Sequence, residues 1–552
     1  MTVLTRRRRS LAALAGALAL ALVAGCAGAP EPGSPARSIT AYTGATGQLT
    51  ANFNPYILSS NQPGRGIIYE TLMFLNRARA DEPLPRLAEE YDWNDDGTAI
   101  TFRLREGVQW TDGEPFTSAD VVFTFELMQE HEALNTSSLP IESVEAAGDA
   151  EVTITFSRPA YTDLWTIASD TFIVPEHIWS DVEDPVTFGN AEPVGTGAFA
   201  LESFSAQSYE LTANEEYWDE GKPHLDSIRF VSHSGNQSAL SALTAGQIDW
   251  ASIFIPDIEN TYGSRAEGNH YEVTPVYIST LGANLDEGPT SDLAVRQAIY
   301  RGIDRDQVNE LNYDGLSTPA TPGMLMLPRE ERFLAEELEG VVPTHEPDEA
   351  RRILQDAGYT EGADGVFVSP DGEPLSIEVK VVTGYTDQIA ALDVMRQQLA
   401  EVGIDLQPRE VSFASFVADR DNGDFELVID NLYGGVTPFT LYEDFYSSAA
   451  APPIGQPAAK NFARFRSDVV DEALEEVAAT EDEEAHAEAY ARIQSEIAEQ
   501  LPYIPILQSM ALTQFAGAKV TGFPTADDPY ALPMTHSSPD LGIVAANLRP
   551  AG

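Results

Sequence analysis

The residue types that usually carry chemistry are present in this chain but are not arranged for it. The eight histidines, at 131, 177, 224, 233, 270, 345, 486 and 536, include no pair four residues apart and no H-E-x-x-H, so zinc hydrolysis has no signature. There is no G-x-S-x-G, no P-loop, no G-x-G-x-x-G and no C-x-x-C. Asp92-Trp93-Asn94-Asp95-Asp96-Gly97 matches the first half of a calcium-binding EF-hand loop. That loop needs a bidentate Glu six residues after the Gly, and the position holds Arg103. The segment reads instead as a polar hairpin turn feeding a strand at Ile100. With 87 acidic residues, a given pair of carboxylates is expected to be a solvated face rather than an acid/base couple. No catalytic residue, no metal site and no cofactor is expected, and the chain reads as a non-enzyme.

One side chain is placed for a different kind of chemistry. Cys26 is the single cysteine of 552 residues. It follows Arg6 to Arg9, an uncharged Ala/Leu-rich run from Leu11 to Gly25, and the small residues Val23-Ala24-Gly25. A positive segment, a short apolar segment and small residues before a cut describe a signal peptide over 1–25. The apolar run is too short to span a bilayer permanently. A Cys immediately after it resembles the bacterial lipobox, whose thiol is diacylated and becomes the mature N-terminus. Several acyl chains anchor stably where one is marginal. Residues 26–37 then read as a flexible Ala/Gly/Pro/Ser tether. The expected place is the extracytoplasmic face of a bacterial membrane, lipid-anchored through Cys26, with the export route, general secretory or twin-arginine, left open.

The elements that position side chains follow two periods, which argues for a mixed α/β architecture. Ile100 to Leu104 and Val152 to Phe156 alternate as strands do. Thr117 and Asp120 make a capping box before the apolar run at Val121, Val122, Phe123, Phe125 and Met128. Helices are expected from Ser238 to Ala245, Leu293 to Tyr300, Glu349 to Ala357 and Ile389 to Val402, with Gly246, Gly358 and Gly403 as stops. A helical pair follows between Asp468 and Gln500. Strands alternating with such helices favour a largely parallel sheet in at least one domain. The net charge of −55 excludes nucleic acid as a partner, and 43% hydrophobic residues exclude disorder.

Trp93 to Asp120 (WNDDGTAITFRLREGVQWTDGEPFTSAD), followed by Val121-Val122-Phe123, closely resembles a segment of the family 5 extracellular solute-binding proteins. These are receptors for oligopeptides, dipeptides, nickel complexes and some oligosaccharides. Asn54-Pro55-Tyr56, Tyr69-Glu70-Thr71-Leu72, Pro175-Glu176-His177-Ile178-Trp179, Gly195-Thr196-Gly197-Ala198-Phe199 and Asn214-Glu215-Glu216-Tyr217-Trp218 follow in the family's order. So do Ala245-Gly246-Gln247-Ile248-Asp249, Val295-Arg296-Gln297-Ala298-Ile299 and Leu501-Pro502-Tyr503-Ile504-Pro505. The resemblance implies a two-lobe, periplasmic-binding-protein type II-like fold with an extra subdomain in lobe I and a hinged ligand cleft. Carried onto this chain, lobe Ia is 38–66, 193–276 and 506–552, subdomain Ib is 67–192 and lobe II is 277–505. Crossings are expected at Tyr277 to Asn284 and Tyr503 to Leu507. It implies a monomer that delivers a small oligomeric solute to ABC permease and ATPase subunits. The runner-up is a lipoprotein sensor or scaffold on the same fold.

Peptide receptors of the family place an acidic residue shortly after a Trp in lobe II. Here the corresponding stretch is Val428 to Phe439 (VIDNLYGGVTPF), which has no Trp, and Asp430 stands too early to take that role. Asn431, Tyr433, Gly434, Thr437 and Phe439 suit an oligosaccharide as well as an oligopeptide, because sugar rings stack on aromatic faces. Trp250, at the end of a strand, is expected either near the ligand or, equally, buried within lobe Ia. Tyr42, Asn54 and Phe254 complete the candidate wall.

Overall fold

The computed structural model describes residues 37–551 apart from 58–59, 80–82, 132, 136–138, 342–343 and 459. The leader over 1–25, Cys26 and the tether up to residue 36 lie outside the described residues. Within them, no helix is long and apolar enough to cross a membrane.

One mixed sheet of eleven strands crosses the molecule. Its order begins Asp405–Val411, Ser376–Val382, Leu427–Leu432, Asn269–Ala283 and Tyr503–Ala516. It continues through Trp250–Ser252, Ser38–Thr46, Ser227–His233, Ser208–Ala213 and Phe199–Ser205, while the short Thr318–Pro319 also pairs with Tyr503–Ala516. The two central strands are the longest and run antiparallel from Asn269 opposite Ala516 to Gly282 opposite Tyr503. Their register shifts between Pro275 and Tyr277 and again between Ser279 and Thr280. Such bulges bend and twist a ladder locally. They fall where the neighbours change: Thr513 to Phe515 pair with Trp250–Ser252, whereas Ile278 to Ala283 pair with Leu427–Leu432.

On the lobe II side Leu427–Leu432 is covered on both faces, which is why Leu427-Val428-Ile429 reads as an unbroken apolar run. Alternation sends Leu427 and Ile429 into one core with Val295, Leu392 and Leu399. Val428 and Leu432 go into a second, with Tyr442, Phe462, Tyr490 and Tyr503. Asp405–Val411, Ser376–Val382 and Leu427–Leu432 are mutually parallel. Helices Thr386–Val402, stopped at Gly403, and Pro347–Asp356 lie where the sequence expects them. So does the pair Asp468–Ala478 and Glu483–Gln500.

The other side has one large core containing Phe53, Trp110, Phe125, Trp179, Phe230 and Trp250. It joins the great sheet to a separate four-stranded antiparallel sheet, ordered Ala88–Trp93, Ala99–Leu104, Glu151–Phe156 and Ile141–Ala146. Helix Ser118–Glu130 packs there behind its capping box: the Thr117 side chain accepts from Ala119 N, and Asp120 accepts from Thr117 N at 2.9 Å. The Asp92 to Gly97 segment is a hairpin turn, with Asn94 N donating to Ala99 O at 2.9 Å. Gly97 is needed there twice: its φ is +65°, and a Cβ would stand 2.3 Å from the Tyr161 ring.

Candidate ligand cleft

The family-like motifs converge on packing. Glu70 is buried and accepts from Arg86, from the Tyr217 hydroxyl at 2.9 Å and from Trp218 Nε1 at 2.9 Å. Two separate motifs, Y-E-T-L and N-E-E-Y-W, thus close one satisfied polar network. Gly195 and Gly197 lie so close to the chain at Ile67 and Ile68 that a Cβ would come within 1.9 and 2.0 Å of a carbonyl oxygen. Arg296 is buried and donates to the carbonyls of Thr290, Ser291 and Gln500. His177 meets Asp112 at 2.7 Å.

The two lobes touch along a seam that encloses a different set of residues. Arg329 of lobe II donates to Arg77 O at 2.7 Å, and Asp257 N donates to Asp314 Oδ2 at 2.7 Å. Phe254 meets the Tyr313 ring edge-on at 5.6 Å. Arg158 pairs with Asp163 at 3.2 Å and reaches Glu443 at 4.0 Å. Gly435 lies against the Trp165 ring.

At the centre is Tyr433, 57% exposed, its ring edge-on to Tyr277 of the first central strand at 6.2 Å. Its hydroxyl is pushed above the ordinary phenol range by burial and by Asp170 and Asp444, against Arg77 and Arg65. The Tyr277 hydroxyl lies 3.4 Å from His536 Nε2 and is raised to about 12 by burial. Burial and Arg77 hold His536 down at about 4, so its imidazole is neutral at physiological pH. Arg77 is fixed by Asp540 at 2.8 Å and Ser537 Oγ at 2.6 Å. On the lobe II floor Asp430 is paired with Arg420 at 2.8 Å, and Arg420 also holds Asp421. Burial pushes the Asp430 carboxyl upward while Arg420 opposes it.

The candidate residues divide accordingly. Tyr433 stands in the cleft; Asn431 is half-buried opposite Ser279, and half-buried Gly434 packs on Leu441. Phe254 sits on the seam. Tyr42 is buried against His233, yet its hydroxyl is raised to about 12 by burial and then by Tyr385 of lobe II. Three others belong to the interior of their lobes rather than to a ligand wall. Trp250 is fully buried, its indole donating to Pro533 O at 2.8 Å. Asn54 is buried and spends its amide on Pro185 O and Phe188 O. Phe439 lies in the second lobe II core. Thr437 is half-buried just before helix Pro438–Tyr446. The sequence reading missed Arg77, Tyr277, Tyr385 and His536. The signal for Tyr385 was its place just past the end of a parallel strand, where α/β sheets bind ligands.

The profile described as "Bacterial extracellular solute-binding proteins, family 5 Middle" matches residues 82–452. The chain belongs to that family. It is 25% identical over 528 residues to the oligopeptide-binding protein AppA of Bacillus subtilis, covering 90% of this chain and 93% of AppA. It is 25% identical over 476 residues to the nickel-binding periplasmic protein of Escherichia coli, covering 82% and 86%. In fold it is similar to a periplasmic oligopeptide-binding protein of Thermotoga maritima crystallised with mannohexaose. That match has a TM-score of 0.84 at 23% identity, over 93% of this chain and 98% of the other. The two-lobe solute-receptor fold and the hinged cleft expected from the motifs are therefore this protein's architecture, and its family consists of solute receptors rather than enzymes.

Proposed function

We propose that this chain is the extracytoplasmic solute-binding component of an ABC importer and that its cleft closes over a neutral oligosaccharide. The observation that carries the ligand class is the lobe II floor. Asp430, the acidic residue of the Val428 to Phe439 stretch, is already paired with Arg420 at 2.8 Å. The exposed group beside it is an aromatic face, Tyr433. A floor whose carboxylate is paired, beside an open ring, favours hydroxyl-rich ligands, whose apolar C–H faces stack on aromatics. An oligopeptide is the second reading, favoured by the likeness to AppA. Ligand contacts made better in the closed than in the open state would set the closed population.

The proposed lobe limits are 38–66, 193–276 and 506–552 for lobe Ia, 67–192 for subdomain Ib and 277–505 for lobe II, a reading supported at 276/277 by the register shift between Pro275 and Tyr277. A single lipid-anchored copy, held through Cys26 by the 26–37 tether, without enzymatic activity, is the form that meets the permease. Replacing Cys26 by Ala should move the protein from the membrane fraction to the medium, and unchanged membrane retention would remove the anchor from this account. The ligand class is tested by thermal shift of the detergent-solubilised full-length protein against cello-, xylo- and manno-oligosaccharides and short peptides. A true ligand at a hundred times its Kd should add ~2.7 kcal/mol of stability. Stabilisation by peptides alone would replace the sugar with the peptide.

A further inference from the structure

Among the described residues, no Phe, Tyr or Trp is as exposed as Phe413 at 60%, Tyr433 at 57% and Tyr385 at 43%. The three are not scattered. They follow the ends of three adjacent parallel strands: Phe413 comes two residues after Asp405–Val411, Tyr385 three after Ser376–Val382, and Tyr433 one after Leu427–Leu432. Val382 is in register with Val411, and Lys380 with Val428, so all three strands end on one edge. Neighbouring strands lie about 4.8 Å apart, so the edge presents three rings across ~10 Å. Water-exposed aromatics gathered along one edge mark a binding surface more than a solvated one.

The inner end of this row is in the cleft. Tyr433 packs edge-on against Tyr277, and its hydroxyl feels Asp170, Arg77, Asp444 and Arg65. The middle member, Tyr385, stands near Tyr42 of lobe I and Asp430 of the cleft floor. The outer member opens helix Phe413–Asn422, whose first turn is fixed by Ser412 Oγ accepting from Ser415 N at 3.2 Å. A side chain at a helix's first position leans back toward its N-terminus, here toward the end of the preceding strand.

We infer that this edge is a track of successive subsites for one elongated, uncharged oligosaccharide, with Tyr433 stacking an inner unit, Tyr385 the next, and Phe413 a distal unit at the mouth of the cleft. The inference rests on the oligosaccharide reading above and adds to it a determinant of ligand length. Short oligomers fill the inner positions and never reach Phe413. Longer ones gain a stacking surface there, so chain-length preference resides in a residue far along the sheet edge from Tyr433.

The test is calorimetric titration of full-length protein with dimers to hexamers of mannose, glucose and xylose. Wild type should bind longer oligomers more tightly. Phe413→Ala should weaken binding of the longest oligomer by about tenfold and leave the dimer unchanged. Phe413→Trp should keep the length dependence, and the melting temperature of the unliganded protein should stay at the wild-type value in both. Equal affinity of Phe413→Ala and wild type at every length, or equal weakening at every length, would overturn the track. If wild type binds peptides and no oligosaccharide of any length, the ligand class is wrong and the track falls with it.

Discussion

Asn54 and Trp250 on one side of the cleft differ in kind from Tyr433, Tyr385 and Phe413 on the other. On the lobe I side Asn54 and Trp250 are enclosed, with polar atoms already bonded to Pro185, Phe188 and Pro533. On the lobe II side Tyr433, Tyr385 and Phe413 stand out from the ends of parallel strands with their rings open. A buried side chain with satisfied hydrogen bonds has nothing left to offer a solute, whereas an exposed ring gains by being covered. The contrast separates what this family shares from what sets this receptor's ligand. Glu70 with Tyr217 and Trp218 builds lobe I, and in our proposal the ligand is chosen along an edge of lobe II.

The sharpest way to break this contrast is Trp250→Ala. Loss of a fully buried indole should cost about 4 kcal/mol, read as a lowered denaturation midpoint, while the protein that remains folded binds with wild-type affinity. A large affinity loss with little change in stability would return Trp250 to the ligand wall. Next in size is Glu70→Ala, which leaves Arg86, the Tyr217 hydroxyl and Trp218 Nε1 without their shared acceptor. Breaking such a buried pair costs about 3 kcal/mol, again without changing affinity. An affinity change there would place ligand selectivity in lobe I as well.

A smaller effect sharpens the seam between the lobes. In this structure Glu443 is raised to about 7, first by burial and then by Asp163 and Asp444, with Arg158 and Lys460 opposing, and closure of the cleft is proposed to keep these groups together. Opening removes Asp163 and the burial, returning the carboxyl toward its ordinary value. A group whose pKa is higher in the closed state favours closure when protonated. Closure is therefore fully favoured at low pH and loses that contribution as pH rises through about 7. Ligand should bind roughly threefold to tenfold more tightly at pH 6 than at pH 8. Glu443→Gln should flatten the profile, and an unchanged profile in that variant would assign the dependence to other groups.

Much of the fold was legible because its signals are local or recur along the chain. The Thr117/Asp120 capping box, the stops at Gly358 and Gly403 and the turn at Asn94 to Gly97 each act within a few residues. The ordered motifs then supplied the topology that no single element could. The cleft was less legible because its membership depends on distant partners. Trp250 faces inward because a carbonyl 283 residues later, at Pro533, folds back onto it, and nothing near Gln247-Ile248-Asp249 signals that contact. Phe439 looked like part of the Tyr433 wall, yet it lies in helix Pro438–Tyr446, whose buried side supplies the lobe II core. Tyr385 and Phe413 escaped notice because their importance comes from three strands ending together, a property of the sheet rather than of either segment.

The central claim is that lobe II's open edge grips the solute, and affinity of Tyr433→Ala tests it most directly. The oligosaccharide that most stabilises the wild-type protein is titrated calorimetrically into both forms, alongside the melting temperature without ligand. The account predicts binding weaker by about tenfold or more, with an unliganded melting temperature matching wild type. Wild-type affinity in Tyr433→Ala would contradict it.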